Sequence, residues 1–519
     1  MVWKSGYEAV EVGGTTLHRM IAEVAAELED KPALIDGSTG LQVTYATLAS
    51  RVERVAAGLA ARNFGVGDVL ALWAPNIPQW AGVALGAMAV GGVVTGINPG
   101  YTEGELKGQL TDSGASILAT IPPLVPAALS AAISSGVREV IALGEAEGAT
   151  SILELIEIGD AVPEVGLDAE AVALLPYSSG TTGLPKGVML THANLVTMVR
   201  QLRCMLRVGE GDTTLAVVPF FHIMGFMVNL ALPLASGATV VTMPRFDVGQ
   251  FLTSIQRHRA TFIAVPPPIM TILAHHPMVD AFDLSSLDLI ISGGAPLGPD
   301  LQQAVGARFP SAAVGQGWGM TETTVGVAGT DRRLGTVPGS VGRIMPNTEL
   351  RVLDPQTGDD LGVGERGELW ARGPQVMAGY LNRPEATAEN IDADGWLRTG
   401  DLGYVDEDGN VFIVDRLKEL IKVNAYQVAP AELEALLSTH PQVADVAVIG
   451  RYDASYGQVP VAVVVRRGEV GSDDLMAWVA ERAAPHKRIR AIRFVKAIPK
   501  TPSGKLLRRM LVEQDRQTA

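Results

Sequence analysis

The sequence holds a single cysteine, Cys204, among 519 residues. One cysteine excludes an internal disulfide and fits a reducing compartment, so we expect a cytoplasmic protein. Cys204 lies in the apolar stretch QLRCML, where packing is a commoner role than nucleophilic catalysis. Basic residues are also few relative to acids, 41 against 56, which gives a formal charge of −15. Nucleic-acid binding needs clustered Lys and Arg, so this composition disfavours a nucleic-acid partner.

Long apolar runs are scarce as well. The stretch WAGVALGAMAVGGVVTGI (80–97) has 18 residues without a charge, which is near the lower limit for spanning a membrane. It is rich in Gly and Ala and runs into the Asn-Pro-Gly turn at 98–100. A buried helix followed by a buried strand is therefore the expected structure. The N-terminus has no signal-peptide core and the C-terminus has no lipidation signal, so we expect no integral membrane association.

The alternation of short β-rich and helix-length segments between residues 30 and 330 predicts an α/β fold. The runs ATVVTM (238–243), TFIAVPP (261–267) and LDLIISGG (287–294) are apolar and lead into Gly, Pro or small polar residues. This pattern is typical of buried parallel strands whose carboxyl ends open into ligand-binding loops. The length of the chain allows two to four domains. We predict a large N-terminal domain of layered α/β subdomains.

Two further units are expected towards the C-terminus. The runs ELRVLD (349–354) and GELWARG (367–373) indicate a small β-rich, mainly antiparallel subdomain. The last hundred residues alternate helices and strands, which predicts a small separate α/β domain. We place the boundary in DRLKELIK (415–422), giving an N-terminal domain over 1–415 and a C-terminal domain over 416–519.

Residues 177–187, YSSGTTGLPKG, form a glycine-rich loop. Glycines let backbone N–H groups approach an anion, hydroxyls add donors, and Lys186 adds a positive charge. Taken by itself, such a loop is consistent both with a phosphate site and with an ordinary strand-to-helix turn. A Walker A loop is excluded because no Ser or Thr follows Lys186, and the dinucleotide-binding G-x-G-x-x-G is absent.

The loop closely resembles the phosphate loop of the adenylate-forming superfamily, in particular of its 4-coumarate–CoA ligase and acyl-CoA synthetase group. Six further motifs resemble that family in the expected order: SGGAPLG (292–298), QGWGMTE (316–322), GWLRTGD (395–401), DRLKELIK (415–422), QVAPAELE (427–434) and PKTPSGK (499–505). The resemblance implies a two-step ligase. A carboxylate attacks the α-phosphate of ATP and pyrophosphate leaves; a thiolate then attacks the acyl-adenylate and AMP leaves.

The resemblance also implies a nucleotide site built from these motifs. Its expected members are Ser178, Ser179, Gly180, Thr181, Thr182, Lys186, Gly294, Ala295, Pro296, Gln316, Gly317, Trp318, Thr321, Asp401, Arg416, Lys418 and Lys505. In this assignment the loop holds the β- and γ-phosphates, Thr321 contacts the α-phosphate, and Asp401 accepts from both ribose hydroxyls with help from Arg416. Adenine is expected against Trp318, where the family usually has Tyr; Trp keeps the flat face. Glu322 is the implied Mg²⁺ ligand, although an acid at a helix N-terminus needs no metal.

The implied catalytic residues are Lys505, Lys422, His222 and Thr182. Lys505 is expected to bridge the substrate carboxylate and the phosphate during adenylation; the commoner fate of a lone Lys is a solvated position. Lys418 marks the expected hinge, about which the small, mobile C-terminal domain rotates between the two half-reactions. His222 is expected to line the passage for the acyl group and pantetheine.

Departures from the family pattern concern the two other substrates. Asn424 and Ala425 stand where relatives commonly carry a CoA-binding Lys and Gly, and Arg245 matches another CoA-binding Lys position. This difference leaves a carrier protein open as the thiol acceptor in place of CoA. Met224 stands where plant-type enzymes have a Tyr that reaches the phenol of coumarate, and Met cannot donate a hydrogen bond.

The implied acyl pocket is therefore apolar. Its expected lining is His222, Met224, Val228, Gly294 and Gly317. We expect an apolar carboxylic acid, either cinnamate- or coumarate-like or a medium-chain fatty acid.

The main prediction is thus an AMP-forming acyl-CoA ligase that uses ATP, Mg²⁺ and CoA. Loading of a carrier protein is the alternative, and luciferase-like oxygenation would share the first step. A non-catalytic adenylate-binding protein is disfavoured because the motif residues Lys186, Glu322, Asp401, Arg416 and Lys505 are all present.

Overall fold

The structure is a computed structural model that describes residues 1–157, 165–178, 185–423, 426–453, 456–501 and 504–518. The class is α/β, as expected, with two large mixed sheets in the N-terminal four fifths of the chain and a smaller sheet near the C-terminus.

The first sheet joins a parallel half to an antiparallel half. In spatial order its fourteen strands within the described residues are Val2–Lys4, Glu349–Leu353, Gly367–Arg372, Leu397–Val405, Asn410–Arg416, Gly342–Ile344, Ala328–Gly329, Ala313–Trp318, Leu289–Ser292, Phe262–Val265, Thr213–Ala216, Thr239–Thr242, Pro32–Asp36 and Gln42–Thr44. Ala313–Trp318 pairs parallel with Leu289–Ser292 on one side and antiparallel with Ala328–Gly329 on the other. The antiparallel subdomain expected from the runs 349–354 and 367–373 is therefore a continuation of the parallel sheet.

The second sheet carries the glycine-rich loop at one edge. Its strands run in the order Tyr177–Ser178, Lys186–Thr191, Val172–Leu174, Val93–Gly96, Val69–Trp73, Ala115–Thr120, Glu139–Ala142 and Thr150–Ser151, and Gly379–Tyr380 pairs with Lys186–Thr191. The uncharged stretch 80–97 forms the buried helix Gln79–Ala89 and the buried strand Val93–Gly96, as predicted. Among the described residues, no helix is long and apolar enough to cross a membrane.

Helices cover the sheets, so the central strands are apolar throughout. The α-helices are Leu17–Glu27, Tyr45–Ala61, Gln79–Ala89, Glu103–Ser113, Val125–Ala132, Ile152–Glu157, His192–Leu206, Ile223–Phe226, Leu232–Ala235, Val248–His258, Pro267–His275, Pro299–Arg308, Pro384–Asn390, Pro430–Ser438, Ser472–Ala480 and Arg508–Thr518. Short 3₁₀ turns occupy Pro122–Leu124, Pro277–Ala281, Thr321–Thr323 and Pro485–Lys487, and Met227–Ala231 is a π-helical turn.

The C-terminal residues form the predicted small α/β unit with its own cores. Its sheet has the order Tyr426–Val428, Ile421–Val423, Gly457–Arg466 and Val443–Asp453, and Ala491–Phe494 pairs parallel with Gly457–Arg466. One face packs on Pro430–Ser438 and Ser472–Ala480 and the other on Arg508–Thr518. Gly504 of this unit lies close to Pro266, directly after the strand Phe262–Val265 of the first sheet.

Candidate active site

Three parallel strands of the first sheet end side by side, and their loops form the centre of the site. The pairings Val265↔Ser292 and Ser292↔Gln316 align the strand ends. The segments that follow these strands are 266–268, 293–298 and 319–322. Ligands of open α/β sheets bind outside such carboxyl ends, so these loops mark a binding edge.

Gln316 ties two of these loops together. Its side-chain Oε1 accepts from the Leu297 backbone N–H at 3.2 Å, and its Nε2 donates to the Leu297 carbonyl at 3.3 Å. Gln316 is buried and both of its polar atoms are engaged in this way. The preceding residues Gly294, Ala295 and Pro296 lie at the rim, partly or fully exposed, and Gly294 adopts φ +82°. Gln316 thus positions the segment expected to contact adenine.

The predicted ribose acceptor Asp401 is held from two sides. Arg416 lies directly opposite it on the neighbouring strand, with its Nε 3.1 Å from Asp401 Oδ1. The Trp318 indole N–H donates to Asp401 Oδ2 at 2.8 Å. Burial raises the pKa of Asp401, while Arg416 and the Trp318 hydrogen bond act against that rise. Sequence reasoning expected a flat face from Trp318 and missed this hydrogen bond.

Lys505 enters the site from the small C-terminal unit. Gly504, at φ +84°, lies so close to the large domain that a Cβ there would be 3.0 Å from Pro266 Cβ and 3.4 Å from Pro268 Cδ. The Lys505 N–H donates to Thr501 Oγ1 at 3.1 Å. Gly504 therefore lies directly against the strand-end segment 266–268.

The Lys505 ammonium lies among the charges of the predicted nucleotide site. Burial lowers the pKa of Lys505 and so does the neighbouring Arg416, while the carboxylates of Glu419, Asp401 and Glu322 oppose the shift. The structure thus brings together five charged groups that the sequence carries on four separate motifs.

Glu322 and Lys186 meet through a residue that sequence reasoning did not single out, Tyr380. The Tyr380 hydroxyl donates to Glu322 Oε1 at 2.8 Å, and the Lys186 ammonium lies 4.8 Å from the centroid of the Tyr380 ring. Burial, reinforced by the Glu322 charge, raises the pKa of Tyr380, so the phenol keeps its proton. Thr321 precedes Glu322 in the same 3₁₀ turn and is half-buried.

The Glu322 carboxylate fits the Mg²⁺ role that the resemblance implies. It is buried and offers hard oxygen atoms, and within the described part of the chain Tyr380 donates the one hydrogen bond that reaches its side chain. No group of three or more His, Cys, Asp or Glu side chains in the described residues is placed to hold a metal ion. Phosphate oxygens and water would have to complete the coordination, which is usual for Mg²⁺.

His222 caps the short helix Ile223–Phe226. Its Nδ1 accepts from the Met224 backbone N–H at 3.3 Å. Burial, helped by the nearby Lys505 charge, lowers the pKa of His222 to about 4. The ring is therefore neutral at pH 7, and because Nδ1 accepts, Nε2 carries the proton.

Two of the expected acyl-pocket residues, Met224 and Val228, lie on the helical segment that His222 caps. Met224 and Val228 are four residues apart and 7% and 6% exposed. The Met224 Sδ and Cε atoms would lie 3.0 Å from a Cβ placed on Gly293, so the thioether covers the strand-end backbone. Phe226 lies on the opposite side, with its ring centroid 5.8 Å from that of Trp80 in the core. Gly317 is half-buried on the strand Ala313–Trp318.

The glycine-rich loop is described only at its two ends. Ser178 pairs with Lys186 across the neck of the loop, and the Tyr177 hydroxyl donates to Asp112 Oδ2 at 2.8 Å. The predicted phosphate contacts Ser179, Gly180, Thr181 and Thr182 lie outside the described residues.

Arg245, Lys418 and Lys422 are exposed, and none of them forms a salt bridge within the described residues. Lys422 lies on the strand Ile421–Val423 of the small domain's sheet, next to the edge strand Tyr426–Val428, and its N–H donates to Gln458 Oε1. Asn424 and Ala425 lie outside the described residues.

Comparisons with known proteins identify the family of the chain. Residues 21–381 match the AMP-binding enzyme family, and residues 432–505 match the AMP-binding enzyme C-terminal domain. The chain is 41% identical to 4-coumarate–CoA ligase 3 of Oryza sativa subsp. japonica, over 98% of this chain and 94% of that protein.

Two solved structures have the same fold. ATP-bound MatB from Rhodopseudomonas palustris aligns with a TM-score of 0.89 at 29% identity, over 97% of this chain and 100% of that one. A benzoate CoA ligase from Burkholderia xenovorans LB400 aligns with a TM-score of 0.87 at 25% identity, over 96% and 100%. The chain therefore belongs to the AMP-binding enzyme family, in its 4-coumarate–CoA ligase and acyl-CoA synthetase group of AMP-forming carboxylate–CoA ligases.

Proposed function

We propose that this enzyme activates an apolar carboxylic acid of the cinnamate type as its acyl-adenylate and transfers the acyl group to CoA. The observation that carries the proposal is the position of Lys505. Its neighbour Gly504 lies against Pro266, at the edge where three parallel strands end. The charges of Arg416, Asp401 and Glu322 are near enough to act on the Lys505 ammonium. A cation there stabilises the negative charge that develops as a carboxylate attacks the α-phosphate.

The proposed nucleotide contacts follow from the same geometry. Asp401 accepts from the ribose hydroxyls while Trp318 and Arg416 keep its carboxylate in place. Lys186 binds the β- and γ-phosphates together with residues of the glycine-rich loop. Glu322 would hold Mg²⁺, and the bound ion would neutralise negative charge at the phosphates. Pyrophosphate is the leaving group of this first half-reaction.

The second half-reaction takes the acyl group from AMP to a thiol. Neutral His222, with its proton on Nε2, is placed to donate to a carboxylate or carbonyl oxygen in the passage where the resemblance puts acyl group and pantetheine. Arg245 is exposed and available to a phosphate of CoA. We retain CoA as the proposed acceptor and the cytoplasm as the proposed location.

The proposed acid is apolar because Met224 contributes a thioether to the pocket. A phenol hydroxyl in that pocket would need a hydrogen-bonding side chain, which Met224 does not provide. Met224 and Val228 are buried and neither donates a hydrogen bond from its side chain. We therefore expect cinnamate to have a higher kcat/KM than 4-coumarate. Met224→Ala should lower kcat/KM for cinnamate about tenfold and favour bulkier acids, whereas Met224→Leu should stay near wild type.

A panel of carboxylic acids with ATP, Mg²⁺ and either CoA or a carrier protein tests the proposal. AMP and thioester are quantified together for cinnamate, 4-coumarate, benzoate and octanoate. We expect equal amounts of AMP and CoA thioester with cinnamate. A clear preference for 4-coumarate contradicts the pocket argument, and AMP release that needs a carrier protein contradicts CoA as the acceptor.

A further inference from the structure

Three groups from distant parts of the chain meet at one aromatic ring. The Tyr380 hydroxyl donates to Glu322 Oε1 at 2.8 Å, and the Lys186 ammonium lies 4.8 Å from the ring centroid. We propose that Tyr380 is a positioning residue that orients Glu322 towards Mg²⁺ and, with the face of its ring, holds Lys186 beside the phosphates. The inference rests on the proposed function, and it concerns how Lys186 of the phosphate loop and the metal ligand Glu322 are held in place relative to each other.

The segment around Tyr380 is bonded to both motifs through its backbone. The Met377 N–H donates to the Glu322 carbonyl at 2.9 Å, and the Leu381 N–H donates to the Gly187 carbonyl at 2.9 Å. Residues 375–381 therefore form a strap between the 3₁₀ turn that carries Glu322 and the strand that carries Lys186. Because the strap fixes both backbones, the main chains of Glu322 and Lys186 are already held in place, and Tyr380 then contacts both of their side chains.

Tyr380 itself has little freedom to move. It lies opposite Val188 in an antiparallel pair, its N–H donates to Thr387 Oγ1 at 2.9 Å, and it is 6% exposed. A buried ring anchored on both sides directs its hydroxyl at one place. One oxygen of Glu322, Oε1, is engaged by the Tyr380 hydroxyl, so Tyr380 sets the orientation of the carboxylate.

This arrangement has a chemical consequence for a metal ligand. Ligating carboxylates bind more tightly when an outer hydrogen bond fixes their orientation, and loss of such a bond typically weakens metal affinity by about 10–100-fold. The ring face adds an attraction for the Lys186 cation. Tyr380 therefore supports Mg·ATP binding in two ways. Its hydroxyl orients the metal ligand Glu322, and its ring holds Lys186 near the phosphates.

Two variants separate these contributions. Tyr380→Phe keeps the ring and removes the hydroxyl, so the Mg²⁺ concentration for half-maximal pyrophosphate exchange should rise about 10–100-fold, with the KM for the acid unchanged. Tyr380→Leu also removes the ring face, so it should weaken ATP binding without Mg²⁺ as well. A readout independent of turnover is the thermal shift produced by ATP, measured with and without a Mg²⁺ titration.

The matched control is Tyr404→Phe. Tyr404 stacks on Phe412 with centroids 4.8 Å apart and lies beside the Arg366 guanidinium, so it loses a hydroxyl next to a cation without touching the site. Its Mg²⁺ dependence should be that of the wild type. In a Glu322→Gln background, the further change Tyr380→Phe should add less than twofold, because the hydroxyl acts through the carboxylate.

The outcomes distinguish failure of the Tyr380 positioning role from failure of the proposed function. A wild-type Mg²⁺ requirement in Tyr380→Phe overturns the positioning role, and so does full additivity of Tyr380→Phe with Glu322→Gln. If the wild-type protein gives no ATP-dependent thermal shift and no pyrophosphate exchange with any acid, the proposed function fails and this inference fails with it.

Discussion

Replacing Trp318 by Phe removes one hydrogen bond from the nucleotide site and leaves an aromatic face. The bond joins the indole N–H to Asp401 Oδ2 at 2.8 Å, and both side chains are buried. A hydrogen bond to a charged group contributes about 1.5–3 kcal/mol. Arg416 still holds the other oxygen of Asp401, so we take the lower end. About 1.5 kcal/mol corresponds to roughly tenfold weaker ATP binding.

The same substitution should change the pH dependence. Burial raises the pKa of Asp401 and the Trp318 hydrogen bond lowers it, so Trp318→Phe raises that pKa further. The ionised carboxylate is the form that accepts from both ribose hydroxyls. On acidification, ATP binding should therefore be lost at a higher pH in the variant than in the wild type.

Equilibrium ATP binding measured between pH 5 and 8 checks both expectations. The matched control is Trp370→Phe, because the Trp370 indole N–H has no hydrogen-bond partner within the described residues. Wild-type affinity in Trp318→Phe together with an unmoved acid limb would refute the role of this bond. Tighter discrimination against 2′-deoxy-ATP in the variant would refute it as well.

Two further variants test the docking of the small domain. Gly504→Ala places a Cβ on a residue with φ +84° and 3.0 Å from Pro266 Cβ. The strain of about 1–2 kcal/mol should slow adenylation about 5–30-fold. Adenylation at the wild-type rate in stopped-flow measurements contradicts this expectation. Burial raises the pKa of Asp415 to about 6 although its carboxylate accepts from the Ala431 N–H at 2.9 Å. The folded chain therefore keeps this proton from about pH 4 to 6, and stability falls by about 3 kcal/mol as pH rises through that window. Asp415→Asn should flatten that slope in urea midpoints measured from pH 4 to 7; an unchanged slope contradicts the assignment.

The strands of the parallel sheets could be predicted because burial on both faces leaves uninterrupted apolar runs, such as LIIS at Leu289–Ser292. The continuation of this sheet into the antiparallel strands could not, because the link is the long-range pairing of Ala313–Trp318 on both edges. Local patterns report the strand and its burial, but they do not report its partners.

The candidate site divides in the same way. Motif residues such as Lys505 and Asp401 were predicted through the family resemblance, and residue chemistry alone left the glycine-rich loop open between a phosphate site and a turn. The Trp318–Asp401 bond spans 83 positions, and Tyr380 lies outside every motif that was identified. Both contacts depend on tertiary packing, for which the sequence gives no local signal.

The position of Lys505 is the central claim, and rapid-quench kinetics of the two half-reactions test it most directly. In Lys505→Ala, formation of the acyl-adenylate from ATP and cinnamate should slow about 10²–10³-fold, the effect of removing one stabilising group from a developing negative charge. Thioester formation from preformed adenylate and CoA should keep the wild-type rate. The control is Lys496→Ala, an exposed lysine of the same domain. Adenylation at the wild-type rate in Lys505→Ala, or equal slowing of both half-reactions, would contradict the account.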